Sequence, residues 1–241
     1  MIYPEKASSV WFGRGRENTL RYLELWRNAP LTYSPGQALD SNWNVDHYEV
    51  ILGNDNSGDL FQRAAQLTLN IQFYPAQVMT TCSDYGREGR QVQPGDRVLQ
   101  CIRLFEVARK PVMELLTMNE ITEVIREERR VGFTYTTTTA HSEIGEWSPV
   151  VEWRDNGDVV LVINVTSRAR PGTPLFSRRF TRRMQLRAHR LSIANFVRLI
   201  GAGPRALQNT RFSAELLPVS LLAAAFMVVI ATALAVTRKS R

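Results

Sequence analysis

The chain has 241 residues, 44% of them hydrophobic and 22% charged, with a formal net charge of +7. That is too long and too apolar for a disordered linker, and it supports one domain with its own core. Two cysteines and three histidines supply neither a disulfide framework nor a metal knuckle, so no metal or cofactor is expected and a reducing compartment is the natural setting.

Residues 1–18 show no apolar run of the kind a cleavable signal needs. Residues 1–44 read as an N-terminal helical extension and connector. Within them, 16–29 form an amphipathic helix with Leu20, Leu23 and Trp26 on one side, stopped by Pro30. The main domain is expected over 45–200. It opens with a strand over 47–52, where Tyr48, Val50 and Leu52 face one way. A Gly53–Gly58 turn cluster then supplies the cap of a helix over 59–70, with Leu60, Phe61, Ala64, Ala65 and Leu67 turned to the core.

Residues 80–94 are polar and glycine-rich and are expected to form a mobile loop. Beyond them the chain turns to strands. Residues 97–106 alternate, 111–116 read as a break, and 118–128 with 131–138 form a hairpin turning at Arg129-Arg130. In its second arm Val131, Phe133, Tyr135 and Thr137 share a face. Residues 144–154 alternate with Trp147, Val151 and Trp153 on one side. Asn156-Gly157 then marks a tight turn, because this pair readily takes positive φ angles. The β-branched run 159–165 suits a central strand, and 170–174 end the sheet. Residues 175–200 read as one long helix with an apolar stripe of Phe176, Phe180, Met184, Ala188, Leu191, Ala194 and Val197.

The remainder is expected to be a hinge over 201–215, a single transmembrane helix over 216–236 and a basic tail over 237–241. The 216–236 stretch has no charged side chain, and as a helix it would be about 31 Å long, close to the thickness of a bilayer's hydrocarbon core. Charge points the same way. Residues 166–212 hold 11 arginines and no acid, whereas residues 1–165 hold 16 basic and 22 acidic side chains. Basic residues beside a span favour the cytoplasmic side and anionic headgroups. Arg178, Arg179, Arg182, Arg183, Arg187 and Arg190 are therefore expected at a membrane surface, with the lipid bilayer as partner. Nucleic acid is the rival partner for so many arginines, but no recognised nucleic-acid motif accompanies them, so it is not expected. Nothing fixes an oligomeric state.

The fold class expected from this order is α+β, a curved antiparallel sheet gripping a long C-terminal helix, with room for a cavity. Phe133, Tyr135, Trp147 and Trp153, with Arg168 nearby, either line such a cavity and contact an apolar ligand or form ordinary core. His141 with Glu143 or Glu146 is the one candidate catalytic constellation, since a carboxylate can fix an imidazole for general-base work. The bland alternative is a turn whose His and Glu satisfy backbone groups and face solvent.

Gly132-Phe133-Thr134-Tyr135 followed by His141-Ser142-Glu143-Ile144-Gly145-Glu146 resembles the Gly-Phe-x-Tyr, His-x-Glu and Gly-Glu pattern of domain-of-unknown-function family 1990. Leu31-Thr32-Tyr33, the Tyr48-x-Val50-x-Leu52-Gly53 strand, Ser167-Arg168 and Gln185 support the resemblance. It departs from the family where Thr136–Ala140 replace the usual Gly-Thr-Leu-Pro-Gly, where the typical Asn-Pro is missing, and in the C-terminal span. The family is similar to the polyketide-cyclase, START and Bet v 1-like superfamily, which implies a helix-grip fold and no settled chemistry. Three readings follow: a membrane-anchored binding module for an apolar small molecule or lipid, an enzyme using His141, or an oligomeric channel or interaction protein.

Overall fold

The computed structural model describes residues 9–11, 16–107 and 110–202. In chain order the elements are β1 (Ser9–Trp11), α1 (Arg16–Leu25), β2 (Asn44–Asn54), α2 (Asp59–Leu69), β3 (Met79–Ser83), α3 (Asp84–Glu88), β4 (Arg97–Val107), β5 (Lys110–Glu127), β6 (Arg130–Thr137), β7 (Glu143–Trp153), β8 (Asp158–Ala169) and α4 (Leu175–Leu199). All strand pairs are antiparallel, in the order β2-β8-β7-β6-β5-β4-β3. β6 stops at the Asn119–Thr137 pair, and β1 pairs with β5 beyond it, at Leu116 to Glu114.

Local chemistry explains most of these elements. β2 alternates as its sequence demands, with Tyr48, Val50 and Leu52 buried. The β7–β8 hairpin closes at Gly157, whose φ is 86°. At the entry of α2, the Asp55 carboxylate accepts from the backbone N–H groups of Ser57, Gly58 and Phe61, satisfying donors that a helix start leaves open.

The sheet curls around α2 and α4, and its concave face carries the main core, including Val50, Phe61, Phe73, Phe133, Trp147, Leu161, Ile193 and Phe196. The convex face carries a second cluster in which Leu23, Trp26 and Ala29 pack on Leu99, Cys101, Leu116 and Met118. α1 therefore covers the back of β4 and β5.

Several local expectations are corrected. Residues 80–94 are not one loop: they hold most of β3, paired with β4 from Met79–Ile102 to Ser83–Val98, and then α3. The expected break at 111–116 lies inside β5. Pro111 pairs with Glu106 where the β4–β5 register shifts, the kind of irregular place in a sheet where proline is found. The 127–130 hairpin turns at Glu128-Arg129, one residue earlier than expected. In α4, Phe180 is buried as expected, but the deeply buried face then runs through His189, Ser192, Ile193, Phe196 and Val197, and Leu191 and Ala194 are only half-buried.

Candidate ligand-binding cavity

The two halves of α4 meet the sheet differently. Along its C-terminal half the space is filled by aromatic rings. Phe196 stacks on Phe73 at 4.7 Å, and Phe73 meets the edge of Trp147 at 5.0 Å and Phe133 at 6.3 Å. Along the N-terminal half, Thr181, Met184, Gln185 and Ala188 stand over a cavity of about 350 Å³. Its apolar walls come from Val78 and Met79, Ile102 of β4, Leu115 of β5, Tyr135 and Trp147 of β6 and β7, and Val165 of β8.

β7 is held at the cavity mouth by its neighbours. A Cβ at Gly145 would stand 1.8 Å from the carbonyl oxygen of Thr166, and its φ of 149° is one side chains rarely adopt. The Thr137 hydroxyl accepts from the Gly145 N–H at 2.9 Å and donates to its carbonyl at 3.1 Å. The turn before β7 is tied by Arg170, which donates to the carbonyls of His141 at 2.7 Å and Thr138 at 3.0 Å.

His141 is buried, at 7% exposure, and its Nδ1 lies 3.0 Å from the Glu143 backbone nitrogen and 3.2 Å from the Glu143 carbonyl oxygen. Burial pushes its pKa down to about 4, so the imidazole is neutral at neutral pH. It does satisfy a turn backbone group, but it does not face solvent. No hydrogen bond joins His141 to the side chain of either glutamate among the described residues, so the expected imidazole–carboxylate couple is not assembled.

Glu143 is the acid of the cavity. It is half-buried and lines the cavity. Burial pushes its carboxyl up to about 7; Arg182 pulls it back and Asp46 adds to the rise. Its carboxylate makes no hydrogen bond to any described residue. Glu146 is raised by burial and is paired instead with the Tyr33 hydroxyl, which holds it down.

A buried polar wall closes the cavity beneath α4. Asp46, at 8% exposure, accepts from both terminal nitrogens of the Arg182 guanidinium, with Nη1 at 2.6 Å. Arg182 also donates to Gln185 Oε1 at 2.7 Å, and Gln185 Nε2 donates to Ser167 Oγ at 3.1 Å. Arg182 was expected among the membrane-surface arginines. It points inward because the Asp46 carboxylate offers it a bidentate partner. Nearby, His189 Nδ1 lies 3.4 Å from the Tyr48 hydroxyl, and burial pushes its pKa to about 4. Burial also pushes Tyr135 up to about 12. Gln100 Nε2 and Trp147 Nε1 are buried beside the cavity without a hydrogen-bond partner among the described residues.

Of the five residues expected to contact a ligand, the structure brings Tyr135 and Trp147 to the cavity. Phe133 is fully buried in the packed core. Trp153 stacks on Phe61 at 5.9 Å and donates to the Asp55 carbonyl, far along the sheet. Arg168 lies over the Trp43 ring at 4.6 Å. Sequence reasoning passed over His189, Gln100, Tyr74 and Met79. The strand parity that buries Tyr48 and Tyr135 would have placed Gln100 on the same concave face.

Arg178, Arg179 and Arg187 are exposed on α4, and Arg183 and Arg190 are half-buried. The expected span over 216–236 lies outside the described residues; among the described residues no helix is long and apolar enough to cross a membrane. Among the same residues, no three His, Cys, Asp or Glu side chains converge as a metal site would require.

A curved antiparallel sheet wrapped on a long C-terminal helix, hollow under one half of that helix, defines an α+β protein of the helix-grip kind. The chain belongs to the family described as a domain of unknown function, DUF1990, whose pattern matches residues 29–195. No curated protein matches the chain in sequence. Among solved structures it is similar to hypothetical protein jhp0584 from Helicobacter pylori, at 14% identity, 68% of this chain, 89% of that one and a TM-score of 0.45. It is similar to human STARD10, at 8% identity, 81% and 83% coverage and a TM-score of 0.42. Ara h 8.0201 shares 15% identity over 69% of this chain and 99% of its own, with a TM-score of 0.39.

Proposed function

We propose that this protein is a binding module for an apolar small molecule or lipid, held between the sheet and the N-terminal half of α4. The cavity carries this reading: about 350 Å³, walled mostly by apolar side chains with a few polar groups converging on it. That is the size and make-up of small-molecule sites. Mass spectrometry of the chain purified without detergent should find an apolar compound bound in about equal molar amount. A chain that carries no such compound, and takes up no apolar fluorescent dye, would sink the proposal.

The second reading, an enzyme, is favoured by one observation. Glu143 presents to the cavity a carboxyl pushed up to about 7, where a general acid or base works best at neutral pH. In that case Glu143, and not His141, would handle the proton. Glu143→Gln should then abolish turnover of the bound compound without weakening its binding.

In the same reading, residues 216–236 anchor the domain in a membrane, with the soluble part on the cytoplasmic side. Arg179, Arg183, Arg187 and Arg190 follow one another at helical spacing and would meet anionic headgroups. Alkaline extraction should release from membranes a chain ending at residue 215 and leave the full chain behind. Equal release of the two would remove the anchor.

A further inference from the structure

The charges around the cavity are one-sided. The chain is strongly basic, with a net charge of +7, yet among the described residues no lysine or arginine lines the cavity. The nearest bases are already engaged. Arg182 is held by Asp46 and Gln185, and Arg170 by the carbonyls of Thr138 and His141. The two histidines on the wall, His141 and His189, are both driven to the neutral form by burial. Of the two acids, Glu146 is paired with Tyr33. Glu143 alone offers the cavity a carboxylate with no hydrogen-bond partner among the described residues.

We infer that the occupant of this cavity is an apolar molecule bearing a protonated amine, and that Glu143 is the counter-charge that selects it. The inference rests on the binding-module reading and names the ligand class. When Glu143 ionises, it joins an Asp46–Arg182 pair whose charges already cancel, so the wall becomes negative overall. An anionic ligand would meet that charge with no free base to receive it. A neutral ligand would leave a desolvated carboxylate unpaired, which is costly in a site of low polarity. An ammonium group satisfies the carboxylate with charge-assisted hydrogen bonds while its apolar body takes the walls of Val78, Met79, Ile102 and Leu115.

The groups facing Glu143 are Asp46 of β2, Tyr135 of β6, His141 of the turn before β7 and Arg182 of α4. Tyr135, pushed up to about 12, and His141, pushed down to about 4, both stay neutral throughout pH 6 to 8. The Glu143 carboxyl, lying at about 7, changes charge in that window. Amine binding therefore strengthens about tenfold from pH 6 to pH 8, following the ionised fraction of one carboxyl.

The test is calorimetric titration of the full chain with octylamine, octan-1-ol and octanoate, which share one tail, at pH 6 and pH 8. The expected result at pH 8 is that octylamine binds about tenfold or more tighter than octanol, with octanoate weakest. That preference shrinks at pH 6 and vanishes in Glu143→Gln, and it survives in Glu143→Asp, which keeps the charge. Octanol or octanoate binding as tightly as octylamine at pH 8 overturns the amine inference and leaves the cavity reading standing. An amine preference that ignores pH overturns it too, without need of a variant. If none of the three binds, the binding-module reading fails with it.

Discussion

One helix and one sheet build two different interiors in this protein. Under the C-terminal half of α4, Phe73, Phe133, Phe196 and Ile193 are fully buried, and the Phe73 ring packs on those of Phe196 and Phe133. Under the N-terminal half, Thr181, Gln185 and Ala188 stand where large apolar side chains would close the gap, and about 350 Å³ stays unfilled. Voids of about 150 Å³ already cost several kcal/mol in well-packed cores. The polar groups divide the same way. Glu143, His141, His189 and the orphaned Gln100 and Trp147 nitrogens gather around the hollow half, where a ligand or water can complete them. The packed half supplies the stability that lets the other half remain open.

The sharpest way to break this comparison is to truncate one residue in each half. Phe196→Ala removes a ring stacked on Phe73 in a filled core and should lose about 3–5 kcal/mol of unfolding free energy. Met184→Ala removes a half-buried side chain from the roof of the cavity and should lose about 1 kcal/mol or less. Urea denaturation measures both. Equal losses would mean that the hollow half is packed as firmly as the other, and the site would dissolve as an idea.

The scaffold was more legible in the sequence than the site. The alternation of Tyr48, Val50 and Leu52, the Asn156-Gly157 turn, the 159–165 run and the long helix are local patterns, and the structure carries each of them. β3 escaped because an edge strand of Thr80, Thr81 and Cys82 has no apolar alternation, and only its pairing with β4 makes it a strand. Within α4, choosing the inner face by its apolar stripe assumed an apolar interior. Over the cavity the inner face keeps Phe180, Met184 and Ala188 of that stripe but adds Thr181, Gln185 and His189. The partner that draws Arg182 inward, Asp46, lies 136 residues away, and no local pattern announces it. The sequence pairs His141 with Glu143 as one constellation, but burial sets them in different surroundings. One is a neutral turn residue and the other a cavity acid.

That division gives a smaller effect with opposite signs. His141 and His189 have folded pKa values of about 4, below the ordinary 6.5, so their contribution to stability is lost as pH falls from 6.5 towards 4. Glu143 has a folded value of about 7, above the ordinary 4.5, so its contribution is full below 4.5 and is lost as pH rises through 7. Two histidines outweigh one carboxyl until about pH 7, so stability should rise from pH 4 and level off near pH 7. Glu143→Gln should raise it at pH 8 by about 1–2 kcal/mol, a figure reduced from the full shift for the water the cavity admits, and leave it nearly unchanged at pH 4. A gain of the same size at both pH values would show that the carboxyl is well solvated. The hollow half would then be ordinary surface.

The smallest effect is the most selective for the cavity. Ala64 on α2 is completely buried against the packed half, whereas Ala188 on α4 faces open volume. Adding three carbons at Ala64 overpacks a filled core, so Ala64→Leu should cost about 1–3 kcal/mol. Ala188→Leu has room for the same carbons and should change stability by less than about 1 kcal/mol, of either sign, because buried apolar area offsets lost side-chain freedom. Its consequence should appear in binding instead, as weaker uptake of octylamine in a chain that melts normally. If Ala188→Leu unfolds as readily as Ala64→Leu, then α4 sits as tightly over its N-terminal half as over its C-terminal half. A destabilised chain that still took up octylamine as the unaltered protein does would move the ligand elsewhere.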